Sequence, residues 1–192
     1  MMAMNTLVRR LWISILLGVV LQSAACQSPG HHDAGDMGIA ATGSRLLALH
    51  PAPPQPEVAL EARRLATVAE HTARQLAGSY GVRSPAWLHN CLVNTGVKQR
   101  GLCWQYMEDM FACLAAEHPV HYDLHCAVRD DGDLFLEHNC VVITAAGKDF
   151  TTGLVLDPWR SPGRLLVFRA RGEGKPWYEQ AGYTAALRRR AR

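Results

Sequence analysis

The chain contains six cysteines but no closely spaced pair of the C-x-x-C type. Structural zinc sites generally use such pairs, so we expect neither a metal site nor a bound cofactor. The sequence also lacks a basic stripe with interleaved aromatic residues, which is typical of nucleic-acid-binding proteins. Its net charge of +3 owes much to the arginine-rich end of residues 181–192, which we expect to form a solvated basic tail. Nucleic acid is therefore not an expected partner.

No apolar run near the N-terminus is long enough for a comfortable membrane span, because Leu11–Leu21 covers about a dozen residues. Residues 1–25 instead have the order of an export signal, with two arginines, the apolar run and the small residues Ser23–Ala25. With Cys26 next, the segment resembles a bacterial lipoprotein signal, in which the cysteine is lipidated and becomes the N-terminus. Such signals usually have leucine where this chain has Ser23. Ordinary signal cleavage and an uncleaved anchor are the alternatives.

The lipoprotein resemblance implies an exported protein that a lipid on Cys26 holds in the outer membrane, facing the periplasm. Residues 26–56 are rich in glycine, alanine, proline and serine and have no sustained apolar period. This composition predicts a disordered tether. The rest of the chain is long enough for one domain with a single core, which we place at residues 57–180.

Within that domain, helical spacing comes first and strand alternation follows. The expected helices are Glu57–Tyr80, a segment from Ser84 and Pro85 to Asn94, and a third that begins at Cys103 or one residue earlier. The expected strands are Val120–Val128, Leu134–Thr144, Gly153–Asp157 and Arg164–Phe168. The expected buried helix faces contain Leu60, Ala66, Ala69, Ala73 and Ala77, and then Tyr106, Met110, Cys113 and Leu114. This order predicts an α+β domain with helices packed on one face of an antiparallel sheet.

Cys103 stands where the third helix is expected to begin. The unpaired backbone N–H groups and the positive end of the helix dipole favour a thiolate over a thiol at this position. The same N–H groups could stabilise the oxyanion that develops during acyl transfer. Gly101 allows the chain to turn tightly just before the helix. A small buried cysteine without a reactive role is the alternative.

His138 and Asp157 are expected on neighbouring strands. Side chains alternate along a strand, so His138 shares a face with Leu134, Leu136, Cys140 and Val142. That face is mostly apolar, and we expect it to meet the helices and carry His138 towards Cys103. Asp157 follows apolar residues, and a buried carboxylate needs a partner. A neighbouring histidine would satisfy it and keep one ring nitrogen free to take a proton from a thiol. A core histidine with local hydrogen bonds is the alternative.

The remaining cysteines divide by their positions. Five follow Cys26, and an odd number leaves at least one thiol unpaired within the chain. A nucleophilic Cys103 would be that free thiol. Cys126 and Cys140 lie at mirrored distances from the expected hairpin turn, so a disulfide between them is the leading interpretation. Cys113, on the expected apolar helix face, is interpreted as a buried and inert cysteine.

Three segments together resemble the transglutaminase-like branch of the papain-like cysteine-protease superfamily, most closely its small bacterial domains without an assigned substrate. These segments are Arg100–Cys103, Glu137–Asn139 and Val155–Trp159. The resemblance covers residues 84–167. It implies that Cys103 is the nucleophile, His138 the general base and acid, and Asp157 the carboxylate that orients the histidine. It also implies an acyl-enzyme that forms on an amide and is released to water or an amine. Gln99 is a further candidate for an oxyanion donor.

These features predict an exported thiol hydrolase or acyltransferase that acts on peptide-like amide bonds through Cys103, His138 and Asp157. One expected partner is a peptide or protein substrate in the cell envelope. The other is the membrane, which the protein would contact through a lipid anchor on Cys26. A non-catalytic envelope lipoprotein that uses the same fold for binding or scaffolding is the alternative.

Overall fold

The computed structural model describes residues 33–82, 85–130, 132, 137–172 and 174–191. Its helices are α1 (Asp33–Leu47), α2 (Pro56–Ser79), α3 (Ala86–Asn94), α4 (Cys103–Ala115) and α5 (Ala181–Arg190), with a short 3₁₀ turn at Phe150–Thr152. Its strands are β1 (Tyr122–Arg129), β2 (His138–Ala145), β3 (Leu154–Asp157), β4 (Leu166–Arg169) and β5 (Tyr178–Glu179). All strand pairs are antiparallel, in the order β4-β3-β2-β1-β5. The predicted α+β class is confirmed.

The expected export signal and Cys26 lie outside the described residues, so the signal and the lipid anchor stay predictions from sequence. Within the described part of the chain, no helix combines the length and the apolar character that crossing a membrane requires.

Helices α2 and α4 pack together and cover one face of the sheet. The buried residues of their faces include Val58, Ala62, Leu65, Ala66, Ala69 and Ala73 in α2, and Met107, Met110, Phe111 and Leu114 in α4. Two residues of the predicted faces are exposed instead, Leu60 in α2 and Cys113 in α4. Both helices have apolar residues on more than one side, so the spacing of these residues alone does not select the buried side. The contact between the two helices selects it.

Strand β2 lies near the middle of the sheet and all eight of its residues are buried. It pairs with β1 on one side, with Arg129 opposite His138, and with β3 on the other, with Val141 opposite Leu156. Since β2 begins at His138 and the antiparallel β3 ends at Asp157, the two residues lie at the same end of the sheet. The predicted placement of both residues on neighbouring strands is therefore confirmed.

The expected orientation of β2 is wrong. Val141 lies in the core that faces the helices, whereas Cys140 and Val142, on the same face as His138, pack on the opposite side with Trp177. A strand that is buried on both faces has apolar residues at consecutive positions, so its pattern does not distinguish the two sides. Leu134 and Leu136, which we expected on the same face, lie outside the described residues.

The predicted disulfide between Cys126 and Cys140 is also wrong. Cys126 lies opposite Val141 and Cys140 lies opposite Ala127, so the register differs by one residue from the mirrored spacing. A shift of one residue moves a side chain to the other face of the sheet. Cys126 accordingly lies in the helix-side core and Cys140 on the opposite face. Both thiols are free, as are the other three cysteines that the structure describes.

The tether prediction is wrong for the residues that form α1. Leu46 is fully buried against α2, and Thr42 donates a hydrogen bond of 2.9 Å to the buried carboxylate of Glu70. A Cβ atom at Gly38 would lie 3.2 Å from Glu70 Oε1, so glycine there allows a close approach of α1 to α2. The small residues that suggest a flexible tether instead form a close helix contact, and the folded domain begins before residue 57.

The C-terminal segment is ordered rather than a solvated basic tail. The short β5 pairs with β1, and α5 then packs on the domain through the buried Leu187. Thr184 Oγ1 accepts a hydrogen bond of 2.8 Å from the backbone N–H of Cys126. The guanidinium of Arg188 donates to the carbonyl of Leu124 at 2.9 Å. These contacts with an inner strand hold the segment although its composition is polar.

Candidate active site

Cys103 is the first residue of α4, as the sequence predicts. The preceding turn needs glycine, because Gly101 has a φ of +126° and a Cβ atom there would lie 2.2 Å from His89 Nε2. The buried His89 ring hydrogen-bonds the carbonyl of Arg100 at 2.8 Å. Gln105 reaches back from the first turn of the helix, and its Oε1 accepts the backbone N–H of Gly101 at 2.7 Å. The turn that presents the thiol is thus held from both sides.

Asp157 is fully buried and every side of its carboxylate has a donor. Oδ2 accepts from His138 Nε2 at 2.8 Å and from Arg160 Nε at 2.9 Å. Oδ1 accepts from the backbone N–H groups of Trp159 and Arg160 at 3.0 and 3.1 Å. Four donors offset the cost of burying the charge and fix the carboxylate in one orientation. The imidazole of His138 is fixed with it.

The thiol of Cys103 lies against the first residues of β2. Its Sγ is 3.8 Å from the carbonyl oxygen of Glu137 and 3.8 Å from Nδ2 of Asn139. His138 Nδ1, the nitrogen that does not contact Asp157, is buried without a hydrogen bond of ordinary geometry. The Cys103 thiol and the His138 imidazole are nevertheless close enough that each shifts the pKa of the other. Such contacts between a nucleophile and its base are often loose without substrate.

The surroundings favour a charged thiol. Burial alone would raise the pKa of Cys103, but the adjacent imidazole of His138 with its positive charge, together with hydrogen bonds from Asn139, outweighs this effect and lowers the pKa. Burial alone would lower the pKa of His138, but the hydrogen bond to the Asp157 carboxylate and the adjacent Cys103 sulfur raise it. A lowered thiol pKa and a raised imidazole pKa together favour a thiolate–imidazolium pair near neutral pH.

The pKa of Asp157 follows the same logic. Burial would raise it, yet the hydrogen bond and charge of His138, followed by the backbone N–H and charge of Arg160, lower it. The carboxylate therefore stays ionised beside the imidazolium. Of the three groups, Cys103 keeps the most exposed surface, at 7%, against 2% for His138 and 0% for Asp157. Cys103 is thus the most accessible of the three residues.

Two tryptophans enclose the imidazole. The ring centre of Trp159 is 4.9 Å from that of His138, and Trp177 is at 5.6 Å. Trp159 also packs against the cluster that contains Tyr106 of α4, and its indole N–H donates to Asn90 Oδ1 of α3 at 3.3 Å, so it joins the histidine to the helix side. Trp159 therefore walls the site.

Cys140 is a second thiol at the same imidazole, with its Sγ 3.3 Å from His138 Nε2. Burial raises the pKa of Cys140 to about 12, so this thiol stays protonated. Among the described residues, His138, Cys140 and Asp157 form a group whose possible metal-ligand atoms all lie within 4.8 Å. A metal would need Nε2 and Oδ2, which already share a hydrogen bond, and would meet the guanidinium of Arg160. These side chains therefore suit the observed hydrogen bonds and ion pairs better than they suit a bound metal ion.

The sequence did not predict several residues of the site. Asn139 lies within one of the three motif segments and Arg160 follows another, but nothing in a single sequence tells a side chain that contacts the site from one that does not. His89 and Cys140 come from parts of the chain that looked structural. Gln99, the expected extra oxyanion donor, is exposed.

Comparisons with known proteins give no independent guide to this site. No protein-family model, no curated protein and no solved structure matches the chain, so the functional argument depends on its own residues and geometry.

Proposed function

We propose that the protein is a thiol hydrolase or acyltransferase that attacks peptide-like amide bonds through Cys103, His138 and Asp157. The observation that carries the proposal is the arrangement around one imidazole. Nε2 is held by a buried carboxylate at 2.8 Å, and a thiol with a lowered pKa lies close to the ring at a helix N-terminus. Nucleophile, base and orienting group in this relation are the parts that cysteine acyl transfer needs.

The reaction proceeds in two balanced halves. The thiolate of Cys103 attacks the carbonyl carbon of the amide, and the electron pair of the C=O bond moves to the oxygen. The oxyanion collapses, the C–N bond breaks, and His138 gives its proton to the leaving amine. Water or a second amine then loses a proton to His138 and attacks the thioester, which releases the acid or the new amide and restores the thiolate. Asp157 orients the imidazole throughout.

The first test is labelling of the purified protein with a peptide-like probe that carries a thiol-reactive group at the position of the scissile amide. We expect modification at Cys103 and not at Cys91 or Cys113, which are exposed and serve as internal controls for simple thiol reactivity. Peptide mass spectrometry locates the modified residue. Equal labelling of all three cysteines would overturn the catalytic proposal and favour a protein that only binds or scaffolds.

We further propose that the protein is exported and anchored through a lipid on Cys26, with its substrate in the cell envelope. The support is the order of residues 1–26 in the sequence. The variant Cys26→Ser is expected to leave membrane fractions for the soluble fraction, or to accumulate with its signal uncleaved. Unchanged membrane association of that variant would remove the lipoprotein proposal without touching the chemistry of Cys103.

A further inference from the structure

Asn139 is placed between the nucleophile and an acidic side chain. Its Nδ2 lies 3.8 Å from Cys103 Sγ and 3.0 Å from Glu137 Oε1. A carboxamide nitrogen has two hydrogens, so it can donate to both partners at once. The residue is only 4% exposed, and the amide has little room to turn elsewhere.

The geometry points to Asn139 as a further catalytic residue, one that donates a hydrogen bond to the Cys103 thiolate at rest and to the substrate oxyanion during attack. This inference rests on the proposed acyl-transfer function. The oxyanion forms on the carbon that Sγ attacks, so it lies within two bonds of the sulfur and within reach of a donor already beside it. A preorganised donor at that place stabilises charge that appears only in the transition state.

Other side chains near Cys103 are less suited to this role. Gln105 Oε1 accepts the backbone N–H groups of Gly101 and Leu102 at 2.7 and 3.0 Å, so that amide serves to cap the helix. Gln99 is exposed. Backbone N–H groups at the start of α4 can supply a second donor, and Asn139 would complete the pair.

Glu137 acts as a positioning residue for the amide. Its Oε1 accepts from Asn139, and its Oε2 accepts from the backbone N–H of Gly132 at 3.2 Å, in the turn of the β1–β2 hairpin. The carboxylate thereby connects the turn to the amide and holds the Nδ2 group towards the sulfur. Its oxygens also require that the nitrogen, and not the carbonyl oxygen, of Asn139 faces this side, because two acceptors do not pair.

The test separates thiolate stabilisation from oxyanion stabilisation by using two reagents on the full chain. Iodoacetamide alkylates the thiolate without forming an oxyanion, whereas p-nitrophenyl acetate acylates it through one. Asn139→Ala should move the alkylation midpoint of Cys103 upward by about half a pH unit to one unit. At pH values where the thiol is fully ionised, acylation of Cys103 should still be about a hundredfold slower than in the wild type. Peptide mass spectrometry follows Cys103 alone.

Matched variants complete the design. Asn139→Asp keeps the shape but replaces both N–H donors by a charge, so it should lose at least as much acylation as Asn139→Ala. Glu137→Ala should slow acylation by about tenfold, and Glu137→Gln, which keeps an oxygen for the amide, should recover most of that loss. If circular dichroism shows that Asn139→Ala does not fold, Asn139→Ser keeps a small polar group in the site and takes its place.

The outcomes distinguish this inference from the proposed function. Acylation of Asn139→Ala within twofold of the wild type at full ionisation would overturn the role of Asn139 while the nucleophile stands. If wild-type Cys103 is not acylated at all and alkylates like a free thiol, the proposed function fails and the inference with it.

Discussion

Two of the histidine–carboxylate pairs among the described residues look alike by distance but differ in their surroundings. His138 Nε2 lies 2.8 Å from Asp157 at the end of the sheet, and His121 Nδ1 lies 2.7 Å from Glu61 where β1 begins. Glu61 also accepts the backbone N–H groups of Val120 and His121 at 2.9 and 3.1 Å. The second pair thus connects helix α2 to the segment that leads into the first strand.

The two pairs differ in what surrounds each imidazole on the side away from its carboxylate. The His138 ring has a thiol near it and almost no exposed surface, with 3% of its side chain accessible. The side chain of His121 is 33% exposed, and its ring has no hydrogen bond to a thiol among the described residues. A histidine held by a carboxylate is therefore a common structural device, and only a placed nucleophile turns it into a candidate catalytic site.

The largest expected effect is that of removing the nucleophile. In a chain that carries Cys91→Ser and Cys113→Ser, Cys103→Ala should lower the rate of acylation by p-nitrophenyl acetate by about a thousandfold or more. The measurement is release of nitrophenolate. A residual rate close to that of the parent would mean that another group does the chemistry, and the contrast between the two histidine pairs would lose its meaning.

The next effect tests the two histidines directly. His138→Ala should slow acylation of Cys103 by about 10²–10⁴-fold near neutral pH and move its alkylation by iodoacetamide to higher pH, because the imidazolium that lowers the thiol pKa is gone. His121→Ala is the matched control and should leave both quantities unchanged within about twofold, as expected for a residue distant from the reacting atoms. Equal effects of the two substitutions would point to a general loss of structure.

Substitutions of the two carboxylates, Asp157 and Glu61, should also differ in their effect on the reactivity of Cys103. Asp157→Asn should reduce the acylation rate less than His138→Ala, since it disturbs the orientation of the imidazole without deleting it.

The folded-state pKa of Asp157 is lowered, so its charge stabilises the fold above the unfolded value of about 3.9, and this contribution is lost as the pH falls through the folded pKa. The melting temperature of Asp157→Asn should therefore depend less on pH between about 2 and 5 than that of the wild type.

The smallest effect on chemistry is expected at Glu61. Glu61→Gln keeps the shape but removes a charge and one acceptor from a site with three donors, so we expect a loss of about 1–3 kcal/mol in the free energy of unfolding. Urea denaturation measures this loss. Alkylation and acylation of Cys103 should stay at wild-type values. A drop in Cys103 reactivity without a loss of stability would show that the two histidine pairs are coupled.

Local patterns predicted the residues of the candidate site better than its surroundings. Helical spacing and a preceding glycine placed Cys103 at a helix start, and short apolar runs placed His138 and Asp157 on neighbouring strands. The expected orientation of β2 failed because that strand is buried on both sides. The disulfide between Cys126 and Cys140 failed because the register of the hairpin differs by one residue. Neither property is encoded in the spacing of a single segment.

The sequence by itself determined the type and order of the helices and strands from α2 to β4, because capping, turns and periodicity depend on neighbours along the chain. The tertiary structure alone decided which side chains meet. It placed Asn139 beside the thiol of Cys103, packed the helix of small residues before residue 48 against α2, and packed the arginine-rich end against β1. Those contacts join residues far apart in the chain, and their free energy comes from burial and hydrogen bonds that exist only once the sheet and helices are assembled.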